Sequence, residues 1–257
     1  MHRPIVHFMP TGLMKAAAGL RYSRSLLPPS ESSTVGFLDD LKRQADALKA
    51  KTTIDHAALA RNTALADVAC KTALSYFIKL APELNVLRPK SPARFTLDRR
   101  NAFDALQLTE FRVDSRRKPL RREEVFDHVV LHWRLVSGQP VEIVKDFLTD
   151  IEKLESRLAQ SGAQVDKEAV RDPESGKFQG MRYRFVADFL GNARLTPLHD
   201  NGRVLIQLQN LDGFESVSFE LPGFEVGNAR MDELARWLAG QPHSFLQDAQ
   251  GLRRVEA

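Results

Sequence analysis

The side chains best suited to chemistry form a short cationic run. Arg116, Arg117 and Lys118 are followed, after Pro119 and Leu120, by Arg121 and Arg122. So many cations in so short a stretch suit an anionic partner: a phosphate backbone, an acidic protein surface or a nucleotide. The run belongs to a wider asymmetry. Residues 88–122 carry eleven bases against four acids, and residues 123–170 carry five bases against ten acids, so the formal net charge of +4 conceals a dipolar layout. Phe95, Phe103 and Phe111 lie in the basic stretch, where exposed rings would stack on bases. The competing reading is plain: a solvated hairpin tip whose arginines pair with the acidic segment that follows.

Other reactive groups are scattered. His128 and His132 share one face of an expected strand about 13 Å apart, too far for one strand to chelate a metal. His56 and His199 stand alone. Cys70, the only cysteine, sits beside an apolar helical stripe and reads as a small buried hydrophobe. A single cysteine forms no intrachain disulfide, which gives no support to an oxidising compartment. Asp98 with Asp104, and Asp188 with Asp200, are carboxylate pairs available for acid–base work only if the fold joins them. The chain contains no G-x-G-x-x-G, G-x-x-x-x-G-K-[ST], G-x-S-x-G or H-E-x-x-H string and no C-x-x-C pair. No cofactor or metal is expected, and the balance leans away from an enzyme.

The elements that must position these groups follow from periodicity. Residues 1–35 read as a disordered basic tail, with Ser30–Thr34 as a linker. Phe37, Leu38, Leu41, Ala45 and Leu48 keep a helical period. Asp55 can cap a second, longer helix, with Leu59, Ala66, Ala69, Ala73, Tyr76, Phe77 and Leu80 as its stripe and Pro82 ending it near Ala81. Residues 36–87 thus read as a helical hairpin.

From residue 93 the period becomes two. Thr109, Phe111 and Val113 alternate with polar neighbours, and Val125, Val129, Leu131, Trp133 and Leu135 mark the inward face of a long strand. Ser137–Pro140 reads as a turn, and residues 147–158 as a helix closed by Gly162. Met181 to Phe189 alternate again. Gly191-Asn192, Asn201-Gly202 and Asp212-Gly213 read as hairpin turns. A last helix carries Met231, Leu234, Ala235 and Leu238.

The expected class is α+β: an N-terminal helical hairpin, then about eight mainly antiparallel, meander-type strands covered by two helices. The domains are 1–35, 36–87 and 88–257, the last divisible into pseudo-duplicated halves 88–162 and 163–257. Composition agrees with a folded chain: 43% of the 257 residues are hydrophobic and 27% charged, which excludes wholly disordered or collagen-like classes. No apolar run reaches the length of a membrane helix, so no membrane partner is expected. The functional expectation is a cytoplasmic, bacterial, non-enzymatic macromolecule-binding or adaptor protein. It would engage a protein partner or a second copy through the helical hairpin. Two alternatives differ in class: nucleic-acid binding through Arg116, Arg117, Lys118, Arg121 and Arg122, or an enzyme or small-ligand binder using a cavity between sheet and helices.

Overall fold

The computed structural model describes residues 36–52 and 56–256. The expected tail over 1–35 and the cap at Asp55 lie outside the described residues. The elements are α1 (Phe37–Thr52), α2 (His56–Leu87), β1 (Phe95–Thr96), β2 (Ala102–Phe103), β3 (Gln107–Leu120), β4 (Glu123–Lys145), α3 (Leu148–Ser161), β5 (Val165–Arg171), β6 (Phe178–Leu198), β7 (Arg203–Gln209), β8 (Glu215–Pro222), a 3-10 turn (Gly223–Glu225), α4 (Asn228–Leu238) and β9 (Gln250–Glu256). The described residues fall into two units, 36–52 and 56–256. In the first, α1 places Asp39 and Asp40 in its opening turn, where the helix dipole favours negative charge.

The second unit is α+β with a mainly antiparallel sheet. Seven strands join in the order β3-β4-β6-β7-β8-β9, with β5 also paired to β6, and β1 and β2 form a separate pair. The segments 88–162 and 163–257 both feed this one sheet, because β4 and β6 pair directly from Val129↔Leu195 to Lys145↔Met181.

Helix α2 supplies most of the cover, where two later helices were expected to do so. Its buried residues are Thr63, Ala66, Ala69, Cys70, Ala73, Phe77, Ala81 and Leu84. The small side chains let backbones approach closely. A Cβ on Gly223 would meet the carbonyl oxygens of Gly202 and Leu65 at 2.9 Å. Pro82 does not end the helix. It is exposed, and Leu84 and Asn85 anchor the turn beyond it. Helix α3 covers the far end of β4 and β6 through Ile151, Leu154 and Leu158, and closes on Gly162 with the expected left-handed φ of 70°.

Two expected turns are absent because both strands run straight through them. Ser137–Gln139 form a bulge inside β4, between Val136↔Asp188 and Pro140↔Val186. Gly191 lies inside β6 opposite Trp133, where a glycine is required because any Cβ would overlap the indole. Asn201-Gly202 is a tight β6–β7 connection, whereas Asp212-Gly213 lies in the longer loop 210–214. A further bulge at Asp127, between Arg116↔His128 and Arg117↔Phe126, resets the alternation. Phe126 therefore joins the core cluster, while the expected Val125 is buried outside it.

At Ala187 the sheet narrows to a waist. β3 ends its pairing at Val136, β5 reaches only Phe185 and β7 begins at Asn192. Only β4 and β6 cross there.

One sheet face is covered and the other is not. On β6, Tyr183, Phe185, Ala187, Phe189, Ala193 and Leu195 are buried, while Arg182, Asp188, Asn192 and Arg194 between them are half-exposed. The pattern is that of an antiparallel sheet with one solvated face. Gly191→Ala is expected to destabilise the protein by about 1–3 kcal/mol through overlap with Trp133, read from urea unfolding midpoints at unchanged m-value.

Candidate functional site

The basic run is carried by the β3–β4 hairpin, as expected, but only part of it lies at the tip. The tip is Arg121-Arg122, with φ of 49° and 72°, between Leu120 and Glu123, which pair. Arg116, Arg117 and Lys118 lie on the strand below it. A left-handed pair at a two-residue turn matches the twist of the strands, but arginine has no special ease in that region.

Each cation has its own surroundings. Arg121 donates to Thr63 Oγ1 at 3.0 Å and pairs with Asp200, tying the tip to α2 and to the β6–β7 turn. Arg117 lies 4.4 Å over the Phe126 ring and donates to the Glu124 carbonyl at 3.1 Å. Lys118 pairs with Asp127 at 3.0 Å. Arg116 and Arg122 make no ion pair or hydrogen bond among the described residues. Three of the five are therefore engaged within the fold, and the remaining two face solvent.

Sequence reasoning missed two further cations on the uncovered face. The register sets Arg112 opposite His132, His132 opposite Asn192, and Val130 opposite Arg194. Alternation along β3 and β4 puts Arg116 and His128 on that face too. Neither Arg112 nor Arg194 has an ion-pair partner among the described residues. Burial, with Arg112, Arg194 and His128 outweighing Asp114, holds His132 below the usual imidazole range. His128 contacts Asp127 at 3.1 Å. Arg194 was invisible because pairing between strands 64 residues apart in sequence, not local spacing, brings it beside His132.

Close to the waist and beyond it the charges are paired. Arg134 bridges Glu110 at 3.0 Å and Asp188 at 3.3 Å, and Arg184 binds Glu142 at 2.8 Å. A groove of about 1330 Å³ opens here on the uncovered side, lined by Arg134, Glu142, Arg184, Asp188, Leu190 and the end of α3. It lies between the sheet and the end of α3, away from α2. Trp133 Nε1 and Gln160 Nε2, two buried donors on residues that line it, have no acceptor among the described residues.

The remaining candidates disperse. Asp98 pairs with Lys145 at 2.8 Å and Asp104 with Arg94 at 3.8 Å, while Asp188 and Asp200 each take a different arginine. No expected carboxylate pair is assembled. Cys70 is fully buried; that burial, reinforced by the charge of Asp67, pushes its thiol up to about 12. Phe95, Phe103 and Phe111 are buried in the core, so the base-stacking role expected of them is withdrawn. Among the described residues no three His, Cys, Asp or Glu side chains gather as a metal site, and no helix is long and apolar enough to cross a membrane.

No protein-family model, curated protein or solved structure matches the chain.

The tip separates strain from support. Arg122→Gly removes a left-handed side chain that makes no hydrogen bond or ion pair among the described residues, so we expect a gain of up to about 1 kcal/mol in urea unfolding. Arg121→Gly forfeits the Thr63 and Asp200 contacts and shows no gain.

Proposed function

We propose that the protein is a non-enzymatic, cytoplasmic bacterial macromolecule-binding or adaptor protein that takes an acidic partner on the uncovered face of its sheet and the adjoining hairpin. The observation that carries this is Arg112, Arg116 and Arg194 on the polar face of the sheet and Arg122 at the hairpin tip, none of which has an acidic partner among the described residues. Unneutralised guanidinium groups at a protein surface favour carboxylate or phosphate. Buried rings at Phe95, Phe103 and Phe111 favour a carboxylate-bearing protein over a single-stranded nucleic acid, since base stacking has no exposed platform among them. The stripe Phe37, Leu38, Leu41 and Leu48 of α1 supports a second contact, with a protein partner or another copy, through the helical hairpin expected over 36–87.

Fluorescence anisotropy tests the reading with labelled polyglutamate, mixed-sequence RNA and mixed-sequence DNA across a salt series. Wild type is compared with Arg112→Gln/Arg116→Gln/Arg122→Gln, which spares the Arg121 tie. Polyglutamate binding should weaken about tenfold between roughly 50 and 200 mM salt and be lost in the variant. Tighter binding of RNA or DNA replaces this reading with the nucleic-acid alternative. No binding at low salt removes both.

The two unpaired donors favour a second reading, a small carboxylate or amide held in the groove. Titration with acetate and acetamide would then shift the Trp133 indole N–H resonance, assigned by comparison with Trp237→Phe. An unmoved resonance ends that reading.

A further inference from the structure

We infer that the acidic partner binds as an added strand on the outer edge of β3, through its backbone as well as its charge. The inference rests on the acidic-partner reading above and specifies its mode. β3 has β4 on one side only, so its other side is a sheet edge. An antiparallel strand directs both backbone groups of alternate residues outward. Asn85 shows which they are. Its side-chain amide accepts from the Phe111 N–H at 2.7 Å and donates to the Phe111 carbonyl at 2.9 Å, which is what a neighbouring strand would do. Four residues on, the Ser115 N–H is also turned from the ladder, because it donates to Asp114 Oδ1 at 2.8 Å. Val113, midway between them, shares that outward phase. Asn85 thus ends the covered part of the edge, and Val113 and Ser115 begin the open part.

The charges select the occupant. Arg112, Arg116 and Lys118 line this edge on the uncovered face, with Asp114 the only acid from 112 to 122. A second copy pairing edge to edge about a two-fold axis would bring these cations together. Residues 1–35 carry four arginines and lysines against one glutamate, so this stretch of the chain has the wrong sign. The other edges are weaker candidates: β5 alternates acids with a lysine, and β9 has seven residues. An extended segment of another protein, acidic at alternate positions, matches both features. Its acidic side chains would stand beside Arg112 and Arg116, and its intervening apolar residues would pair with Val113 and Ser115. Asp114 acts as a guard, occupying the Ser115 N–H and supplying the local negative charge.

The geometry makes the backbone testable without altering the protein. A labelled Glu-Val-Glu-Val-Glu-Val-Glu peptide is compared by anisotropy with two versions, one N-methylated at every Val and the other at every internal Glu. If Glu faces Arg112 and Arg116, the valines direct their N–H groups at β3 and the glutamates direct theirs away. N-methyl-Val should weaken binding by about tenfold or more, and N-methyl-Glu should bind close to the parent. Asp114→Ala should tighten the parent peptide several-fold. Equal, salt-sensitive binding of all three peptides would overturn strand addition and leave the acidic-partner reading standing. Failure of all three at low salt would overturn both.

Discussion

The rest of the structure depends on how closely α2 lies against the sheet. That closeness is set by Ala66, Ala69, Cys70 and Ala73, whose side chains hold the helix and sheet backbones at short range. Once a 32-residue helix is seated this way, one face of the sheet is committed to the core. The side-chain period of two then sends every other residue of β3, β4, β6 and β7 to the opposite face. Glycines at 202 and 223 belong to the same constraint, since they sit where the first turns of α2 meet the ends of the strands. The polarity of the uncovered face is therefore a product of packing on the covered one.

That face is electrostatically divided. Beyond the waist, arginines and acids on β4, β5 and β6 neutralise each other across strands, and such pairs add little net attraction for an outside ion. Toward the β3–β4 tip, arginines outnumber the acids in reach. The fold also spends some cations on itself: Arg121 fastens the hairpin to α2, and Arg117 packs on Phe126. A basic sequence run is thus sorted by structure into fasteners and free charges, and only the latter contribute to attraction of a partner.

Periodicity made the class legible. The long strands, the α3 stripe with its Gly162 cap and the α4 stripe all stand where alternation or the helical period puts them. Failures came where a local signal met a stronger tertiary one. Pro82 normally ends a helix, but Leu84 and Asn85 hold the last turn to β3. Ser137-Gly138-Gln139-Pro140 has turn chemistry, yet pairing with β6 on both sides keeps β4 continuous. Gly191-Asn192 looked like a turn because sequence cannot show that Trp133 lies across the strand at that point. The cationic run was visible, but its division was not, since Thr63, Asp200 and Arg194 reach it only through long-range contacts.

The waist has a mechanical consequence. A sheet resists bending and twisting through the number of strands that share the load at each cross-section, and here that number falls to two, next to a bulge. Compliance concentrates at Ser137–Gln139 and Ala187, with stiffer parts on either side. The opening is stitched by side-chain amides: Asn210 donates to the carbonyls of Leu190 and Gln160, and Gln209 donates to Gln160. These few bonds join α3 to both β6 and the β7 end, so they act as a strut across the narrow section. The groove that opens there sits at the hinge line of the sheet, where its width changes with the angle between the two parts.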